Sequence, residues 1–572
     1  MSKTKLELTW IGKDKRPKLE PRILLEDPRK SYHASQKVTD NDIFDNKLIF
    51  GDNLLALKAL EQEYTGKVKC VYIDPPYNTG AAFEHYDDGL EHSIWLSLMR
   101  HRMLLLKSLL HKEGVIFVQI DDKEMAYLRI LMDEVFERKN FLNMMVVKTS
   151  DPSGHKTVNP SPYSQTEYIL MYCKDRASYL YEQQYIKSEY DTSYGKFIKN
   201  IKSDYSEWDS CSLGEVVANK HGYEDVRSAK KEIGKLDFEK LVADFANENC
   251  ESVYQATAIS NAAGRSIVEM RNESKSNPGK VYKFPRDEYD DIYILNGRQV
   301  YFYSNKLKEV EGELVPSKPL TNLWLDIPWN GIAREGDVTF KNGKKPEKLI
   351  KRCIEMCTDH GDIVLDSFAG SGTTGAVAHK MGRRWIMIEL GEHCHTHIIP
   401  RFQKVVDGED QGGVSKSVNW QGGGGFRYYS LAPSLLQKDQ WDNWIINKEY
   451  NAEMLAEAVC KLEGFTYAPS DVDWWNHGYS TETDFLFVTT QNLSVEKLEQ
   501  LSEDVGSDRS LLVMCGAFRC KPDRFANLTI KKMPKAVMKH CEWAHDDYSL
   551  NVQDLPMAER EPEQNSLFGG EK

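Results

Sequence analysis

The chain has 572 residues, with 74 basic against 87 acidic side chains (net charge −13), and is 41% hydrophobic, 28% charged and 11% aromatic. That is ordinary globular composition, which excludes a collagen-like, fibrous or wholly disordered chain, and at roughly 100–200 residues per domain the length implies several folding units. No window approaches the ~18 uncharged apolar residues of a membrane span and the Lys-rich start lacks the apolar stretch of a secretory signal, so a cytoplasmic chain is expected.

The opening segment, residues 1–40, carries a modest basic excess and reads as an arm. Then strand-like and helix-like patterns alternate. Lys47–Phe50 is a short apolar strand, Leu54–Glu63 an amphipathic helix and Val68–Ile73 a second strand. Ser93–Leu110 has apolar residues at three- and four-residue steps and is expected to be helical, with Gly114 ending it before the strand Val115–Ile120. Asp121-Asp122 cap a further helix running through Phe136, and Thr166–Cys173 continues the set of strands. Strand, helix, strand in this rhythm means a mostly parallel, doubly wound α/β sheet covered on both faces.

From Arg176 to Leu320 the texture changes to Tyr, Lys, Asp and Ser with short apolar runs, an inserted segment with weak secondary-structure signals. The alternation then resumes: helix Lys345–Thr358, strand Asp362–Asp366, helix Gly375–Met381, strand Arg384–Leu390. Four consecutive glycines in Ser417–Phe426 break regular structure. Beyond them, helix Ala452–Glu463, strand Asp484–Thr489, helix Val495–Val505 and strand Ser510–Gly516 form a small α/β unit. The chain thus divides into an arm (1–40), a first part of the core (41–175), an insertion (176–320), a second part of the core (321–430), a C-terminal α/β domain (431–555) and an acidic tail expected to be disordered (556–572). There is no GxxxxGK[ST], which excludes Walker-type ATP hydrolysis.

Two motifs carry chemistry. Asp366-Ser-Phe368-Ala-Gly370-Ser-Gly372-Thr373-Thr-Gly375 lies between a strand and a helix, with Glu389 at the end of the next strand. Glycines let backbone approach a ligand, and a downstream carboxylate can accept bonds from two ribose hydroxyls. By itself this motif fits a nicotinamide dehydrogenase and a methyltransferase equally. The second, Asp74-Pro75-Pro76-Tyr77, follows the strand Val68–Ile73. Two prolines stiffen the turn and remove two donors, leaving a carboxylate and a backbone carbonyl side by side to take both protons of an exocyclic amine, while Tyr77 offers a flat face to a base. Other clusters read as structural. His393, His395 and His397 sit at helix positions without a partner that would complete a zinc site. Cys353 and Cys357, one turn apart on an apolar face, read as core thiols; the 11 cysteines include no CxxC pair.

Together, Asp74-Pro-Pro-Tyr77 with Asn78-Thr79-Gly80, and Asp366 to Thr374, resemble the amino-methyltransferases that use S-adenosylmethionine to methylate DNA. With the catalytic motif first and the cofactor motif last the order is similar to the β class, and GDNLLALKAL, VYIDPPYNTG and GVIFVQIDDKEMAYLRILMDEVF resemble the modification subunits of type III restriction-modification systems. This resemblance implies a Rossmann-like methyltransferase fold in which the insertion supplies target recognition. It implies that Asp74 and the carbonyl of Pro75 hold the target amine, that Pro76 stiffens the turn and that Tyr77 stacks on a base flipped out of duplex DNA. For the cofactor it implies Phe368, Gly370 and Gly372 at the methionine end, with Asp366 and Thr373 in the same loop. Glu389 is implied at the ribose, Asp52 at the adenine ring, and Lys345-Pro346 near the methionine carboxylate. An aspartate heading the motif, where cytosine-N4 enzymes carry serine, favours adenine N6. Methylation of cytosine N4 or of RNA, and a mainly DNA-docking subunit, stand as alternatives. A homodimer and a helicase-nuclease partner are implied as well.

Overall fold

Two stretches of alternating strand and helix, separated by the insertion, interleave in one sheet. The computed structural model describes residues 7–77, 92–150, 162–287, 289–310, 312–340, 343–546 and 548, and the motif residues Asn78-Thr79-Gly80 and the tail 556–572 lie outside these. The first stretch runs β1 (Asn46–Phe50), α1 (Asn53–Tyr64), β2 (Val68–Ile73), α2 (His92–Leu109), β3 (Leu110–Ile120), α3 (Asp122–Met132), β4 (Phe141–Lys148) and β5 (Thr166–Cys173). The second runs β6 (Leu323–Trp324), α4 (Glu347–Glu355), β7 (Ile363–Asp366), α5 (Thr373–Lys380), β8 (Arg384–Glu389), α6 (Ile399–Val406) and β9 (Gly425–Leu431). Their order across the sheet is β9-β1-β8-β7-β2-β3-β5-β4-β6, with the short strands Leu24–Glu26 and Tyr32–His33 both on β9.

The six strands from β9 to β3 are parallel to one another, whereas β5 runs antiparallel to both β3 and β4. Central strands buried on both faces must be apolar throughout, and Val71, Tyr72 and Ile73 of β2, Val115 to Val118 of β3 and Ile386 to Ile388 of β8 are all fully or almost fully enclosed. Helices supply the covering layers: Met99, Met103 and Leu106 of α2 and Leu57 and Leu60 of α1 join the same core. Side chains of this size each stabilise the fold by about 1.5–3 kcal/mol when buried. Local signals set the helix starts. Asp52 caps α1 by accepting the amides of Leu54 and Leu55 at 2.9 and 3.0 Å, and Asp121 caps α3 through Lys123 and Glu124.

Gly114 does not end a helix as its position suggests. The helix stops at Leu109, the strand starts at once, and Gly114 lies within β3 beside a register irregularity against β2. A Cβ there would stand 2.8 Å from the Val68 carbonyl oxygen and 2.9 Å from Leu110, so glycine serves close backbone approach. The glycine run behaves as expected: Gly422, Gly423 and Gly424 have φ of 96°, 106° and 72°, and β9 begins at Gly425. Strand β4 goes undetected in the sequence because its burial alternates imperfectly.

Residues 183–321 form a separate compact unit, close to the inserted segment expected at 176–320. It holds a six-stranded antiparallel sheet, ordered Ser210–Ser212, Lys196–Ile198, Val253–Ala258, Arg298–Phe302, Ile292–Leu295, Val281–Phe284, and four helices between Leu213 and Ser276. Its core is small and aromatic, with Leu213, Val217, Phe238, Val253 and Tyr303 at its centre. The C-terminal region builds a five-stranded sheet, Thr466–Tyr467, Gly478–Tyr479, Asp484–Val488, Ser510–Cys515 and Leu528–Lys532, the last three parallel. Among the described residues no helix is long and apolar enough to cross a membrane.

Gly114→Ala should lower unfolding stability by about 1–3 kcal/mol, because the added methyl meets backbone that cannot yield cheaply. Denaturant titration of both proteins measures this; an unchanged midpoint would contradict it.

Candidate functional site

β2 runs directly into Asp74-Pro75-Pro76-Tyr77, and β7 ends in Asp366 before the turn Ser367 to Gly372. Because β2 and β7 are paired in parallel, both turns emerge at the carboxyl edge of the sheet, where open α/β folds bind their ligands. They are close enough for the Asp74 charge to act on the Asp366 carboxyl.

In the first turn Pro75 and Pro76 are buried and Asp74 and Tyr77 partly so. The indole N–H of Trp95 donates to the Pro76 carbonyl at 3.0 Å, fixing the turn from below. Among the described residues no donor reaches the Pro75 carbonyl. The Tyr77 hydroxyl lies 2.6 Å from Asp74 Oδ1 and 2.8 Å from Glu167 Oε2. Lys345 Nζ stands 3.0 Å from Asp74 Oδ2, donates to the Tyr77 hydroxyl at 2.9 Å, and is 5.0 Å from the centre of the Tyr77 ring. Burial lifts the Asp74 carboxyl above its ordinary range, with Lys345 opposing and Glu167 adding to the rise. Burial works against the Lys345 charge, yet the two carboxylates more than restore it and hold the ammonium above its usual value.

In the second turn Gly370 and Gly372 have φ of 54° and 74°, the left-handed region that favours glycine. A Cβ on Gly370 would meet nothing nearer than 3.8 Å, so the loop presents open backbone there, whereas one on Gly372 would press on Ile398 at 3.2 Å. Glu389 points at the loop. Its Oε2 accepts the Gly370 amide at 2.8 Å and its Oε1 accepts the amides of Leu390 and Gly391, both at 2.9 Å, with His393 Nε2 at 3.1 Å. Burial alone would raise this carboxyl, but His393 and the amides of Gly391 and Gly370 outweigh it and keep the group below its ordinary range. Asp366 accepts the Phe368 amide and the Thr374 hydroxyl, and burial pushes its carboxyl up to about 7.

Asp52 follows β1, which pairs with β8, so its carboxylate belongs to the same edge. Its Oδ1 is spent on capping α1; its Oδ2 accepts the backbone N–H of Tyr548 at 3.1 Å, while Arg102 donates to the Tyr548 carbonyl at 2.7 Å. Arg102 also donates to Asn53 Oδ1, and Asn53 Nδ2 donates to the Ser367 carbonyl at 2.8 Å, tying α1 to the glycine turn. The open backbone at Gly370 and the acidic groups at the ends of β1 and β8 suit a nucleoside-bearing cofactor laid across three adjacent strand ends.

Thr373 lies behind the turn, where Arg401 donates to its hydroxyl at 2.9 Å and to the Ser371 carbonyl at 3.1 Å. Arg401 in turn pairs with Glu347 at 2.7 Å, and Glu347 with Lys380 at 2.9 Å, all three inaccessible to solvent. Glu347 is two residues from Lys345, and Pro346 caps α4 between them, so one buried network anchors both the glycine turn and the segment bearing Lys345. Sequence reading missed Glu167, Gln119, Arg102, Glu347 and Arg401, since each acts through a partner remote in the chain. Among the described residues no cluster of three His, Cys, Asp or Glu is arranged for a metal.

Residues 68–400 match the family model described as DNA methylase. The Haemophilus influenzae protein named probable type III restriction-modification enzyme HindVI Mod subunit is 37% identical over 431 residues, 71% of this chain and 56% of its own. The EcoP15I Mod subunit of Escherichia coli is 24% identical over 89% of this chain and 86% of its own, and the EcoPI Mod subunit of Escherichia phage P1 is 27% identical over 66% and 62%. The chain thus spans little more than half of the HindVI relative.

Asp366 binds its proton more tightly when folded, at about 7 against an ordinary 3.8. Its contribution to stability is therefore complete below the lower value and lost as pH rises through the higher one. Asp366→Asn should remove that part of the fall, visible as a smaller loss of Tm across this window; an unchanged slope would refute the assignment.

Proposed function

Because the chain belongs to the DNA methylase family, we propose that it transfers a methyl group from S-adenosylmethionine to adenine N6 of duplex DNA. The observation that carries this reading is the juxtaposition of the Asp74 turn and the glycine turn on the parallel strands β2 and β7. S-adenosylmethionine, when bound, supplies an electrophilic sulfonium methyl. The rest is placement. Asp74 and the Pro75 carbonyl accept the two N–H groups of the amine, turning its lone pair out of conjugation and toward the glycine turn. As the nitrogen gains positive charge the bond to Asp74 strengthens, so this contact is made mainly in the transition state. Orientation alone can contribute on the order of 7 kcal/mol or more. Tyr77, held by its hydroxyl, offers its ring to the base.

Phe368, Gly370 and Gly372 would line the methionine end of the cofactor, Glu389 its ribose and Asp52 its adenine ring, with Lys345, Pro346, Asp366 and Thr373 shaping the surround. A base stacked in duplex DNA cannot reach the turn, so the target is flipped out at a cost of a few kcal/mol that backbone and groove contacts offset. The unit at residues 183–321 is the proposed recognition module. The names of the Haemophilus and Escherichia relatives support a modification subunit of a restriction-modification enzyme; its working as a homodimer beside a helicase-nuclease partner in the cytoplasm belongs to the same proposal.

Asp74→Ala should retain S-adenosylmethionine binding by calorimetry while methyl incorporation into DNA falls by more than about 100-fold, the scale of losing a preorganised polar contact. Nucleoside mass spectrometry identifies the product. Retained turnover, or N4-methylcytosine as product, would overturn the reading.

A further inference from the structure

The cation at the catalytic turn stands where the target amine has to go. Lys345 Nζ has an oxygen of Asp74 at 3.0 Å, the Tyr77 hydroxyl at 2.9 Å and the Tyr77 ring at 5.0 Å, which is the contact set of an amine held by the carboxylate over the aromatic face. We propose that Lys345 is a placeholder for the target amine, and that Glu167 is the berth to which its ammonium moves when the base arrives. The inference rests on the methyl-transfer reading and adds to it a step of exchange.

Lys345 cannot stay. The nitrogen being methylated becomes positively charged, and an ammonium left on Asp74 would both occupy the oxygen and repel the charge that Asp74 is there to stabilise. A destination is already built. Glu167 Oε2 is 3.5 Å from Lys345 Nζ, so rotation at the end of the flexible lysine stem completes the transfer. Glu167 is fixed for this role, because β5 pairs with β3 and Gln119 of β3 donates to the same Oε2, while Gln119 itself accepts from the Tyr72 hydroxyl. Tyr77 links the two positions, its hydroxyl 2.6 Å from Asp74 and 2.8 Å from Glu167. One hydroxyl proton serves only one carboxylate at a time, so its bond to Asp74 can strengthen as Lys345 arrives at Glu167. The charged and titratable groups facing Lys345 are therefore Asp74, Glu167 and Tyr77, with Tyr72 and Asp366 one step behind.

Placeholding also accounts for why a pocket with two acids keeps the segment bearing Lys345 so firmly anchored. Without a base the ammonium sits 3.0 Å from Asp74 and opposes the burial that lifts its carboxyl above the ordinary range. Asp74 is thus ready to accept when the amine enters. Glu167 and Lys345 are positioning residues in this scheme, acting through Asp74 and not on the methyl group.

The test is an epistasis experiment on the full-length chain, using tritiated S-adenosylmethionine and genomic DNA from bacteria lacking the methylation. Glu167→Gln removes the charge of the berth with little change of shape, leaves Lys345 on Asp74, and should raise KM for DNA by about tenfold with a smaller change in kcat. Adding Lys345→Met removes the competitor, so E167Q/K345M should return KM to within about twofold of K345M alone. K345M alone should shift the acid limb of the kcat/KM profile to higher pH, because Asp74 loses the cation that opposes the upward push of burial on its carboxyl. Circular dichroism and a cooperative thermal melt of each variant report that the fold is intact. Unchanged KM in E167Q, or additive damage in the double variant, overturns the exchange while leaving methyl transfer standing. A wild-type chain that incorporates no methyl group overturns the methyl-transfer reading and this inference with it.

Discussion

Parallel pairing of β2 with β7 is the constraint on which the site depends. It joins Val68–Ile73 to Ile363–Asp366, segments separated in the chain by the whole insertion and the core elements on either side of it, and obliges the turns that follow them to leave on the same side. The register continues outward: β8 lies on β7 and β1 on β8, so Asp366, Glu389 and Asp52 fall at consecutive strand ends. The hydrogen-bond ladders set strand order and direction, and with them the edge from which each of these turns leaves.

Charge is handled differently in front of the turns and behind them. Behind the glycine turn, Arg401, Glu347, Lys380 and Asp410 form a chain of buried pairs. Such pairs add little net stability because desolvation offsets their attraction, but breaking one leaves an uncompensated charge and costs about 3–5 kcal/mol, so they hold the geometry stiffly. In front, among the described residues, Asp74 and Glu167 share one cation, Lys345, and one hydroxyl, that of Tyr77. Behind the turn opposite charges alternate along the chain of pairs; in front two acids face one base. The two meet at the segment Lys345-Pro346-Glu347, whose first residue reaches into the pocket and whose last is locked in the interior.

Most of the core was legible because its helices and parallel strands impose strong periodicities. Ala452–Glu463 and Val495–Val505 have the bounds that their spacing suggested, and the Asp74 and Asp366 motifs sit at strand ends as expected. Errors arose where backbone contact overrides local pattern. Gly114 looks like a helix stop but answers to the Val68 carbonyl across the sheet. The insertion was read as an independently folded segment, but its elements gave weak signals because the strands of its six-stranded sheet are only three to six residues long and its core is small. In the site, residues within a contiguous motif could be read directly. Glu167, Gln119 and Arg102 could not, because their importance comes from the register of β3 with β5 and from the packing of α2, which composition does not encode. Lys345 was noticed for its motif, but only the fold reveals its ion pair with Asp74. The contact of Tyr548 with Asp52, across almost the full length of the chain, had no local signal at all.

The way the 183–321 unit is spliced into the chain has a consequence for how such proteins diversify. The polypeptide leaves the sheet at Cys173, the end of β5, and returns at Leu323, the start of β6, two strands that flank β4 at one margin. Exit and re-entry thus both lie outside the six parallel strands from β9 to β3. The segment between them can be lengthened, shortened or exchanged without altering a ladder bond among those six strands, so whatever it carries is free to change while the backbone around the Asp74 turn keeps its frame.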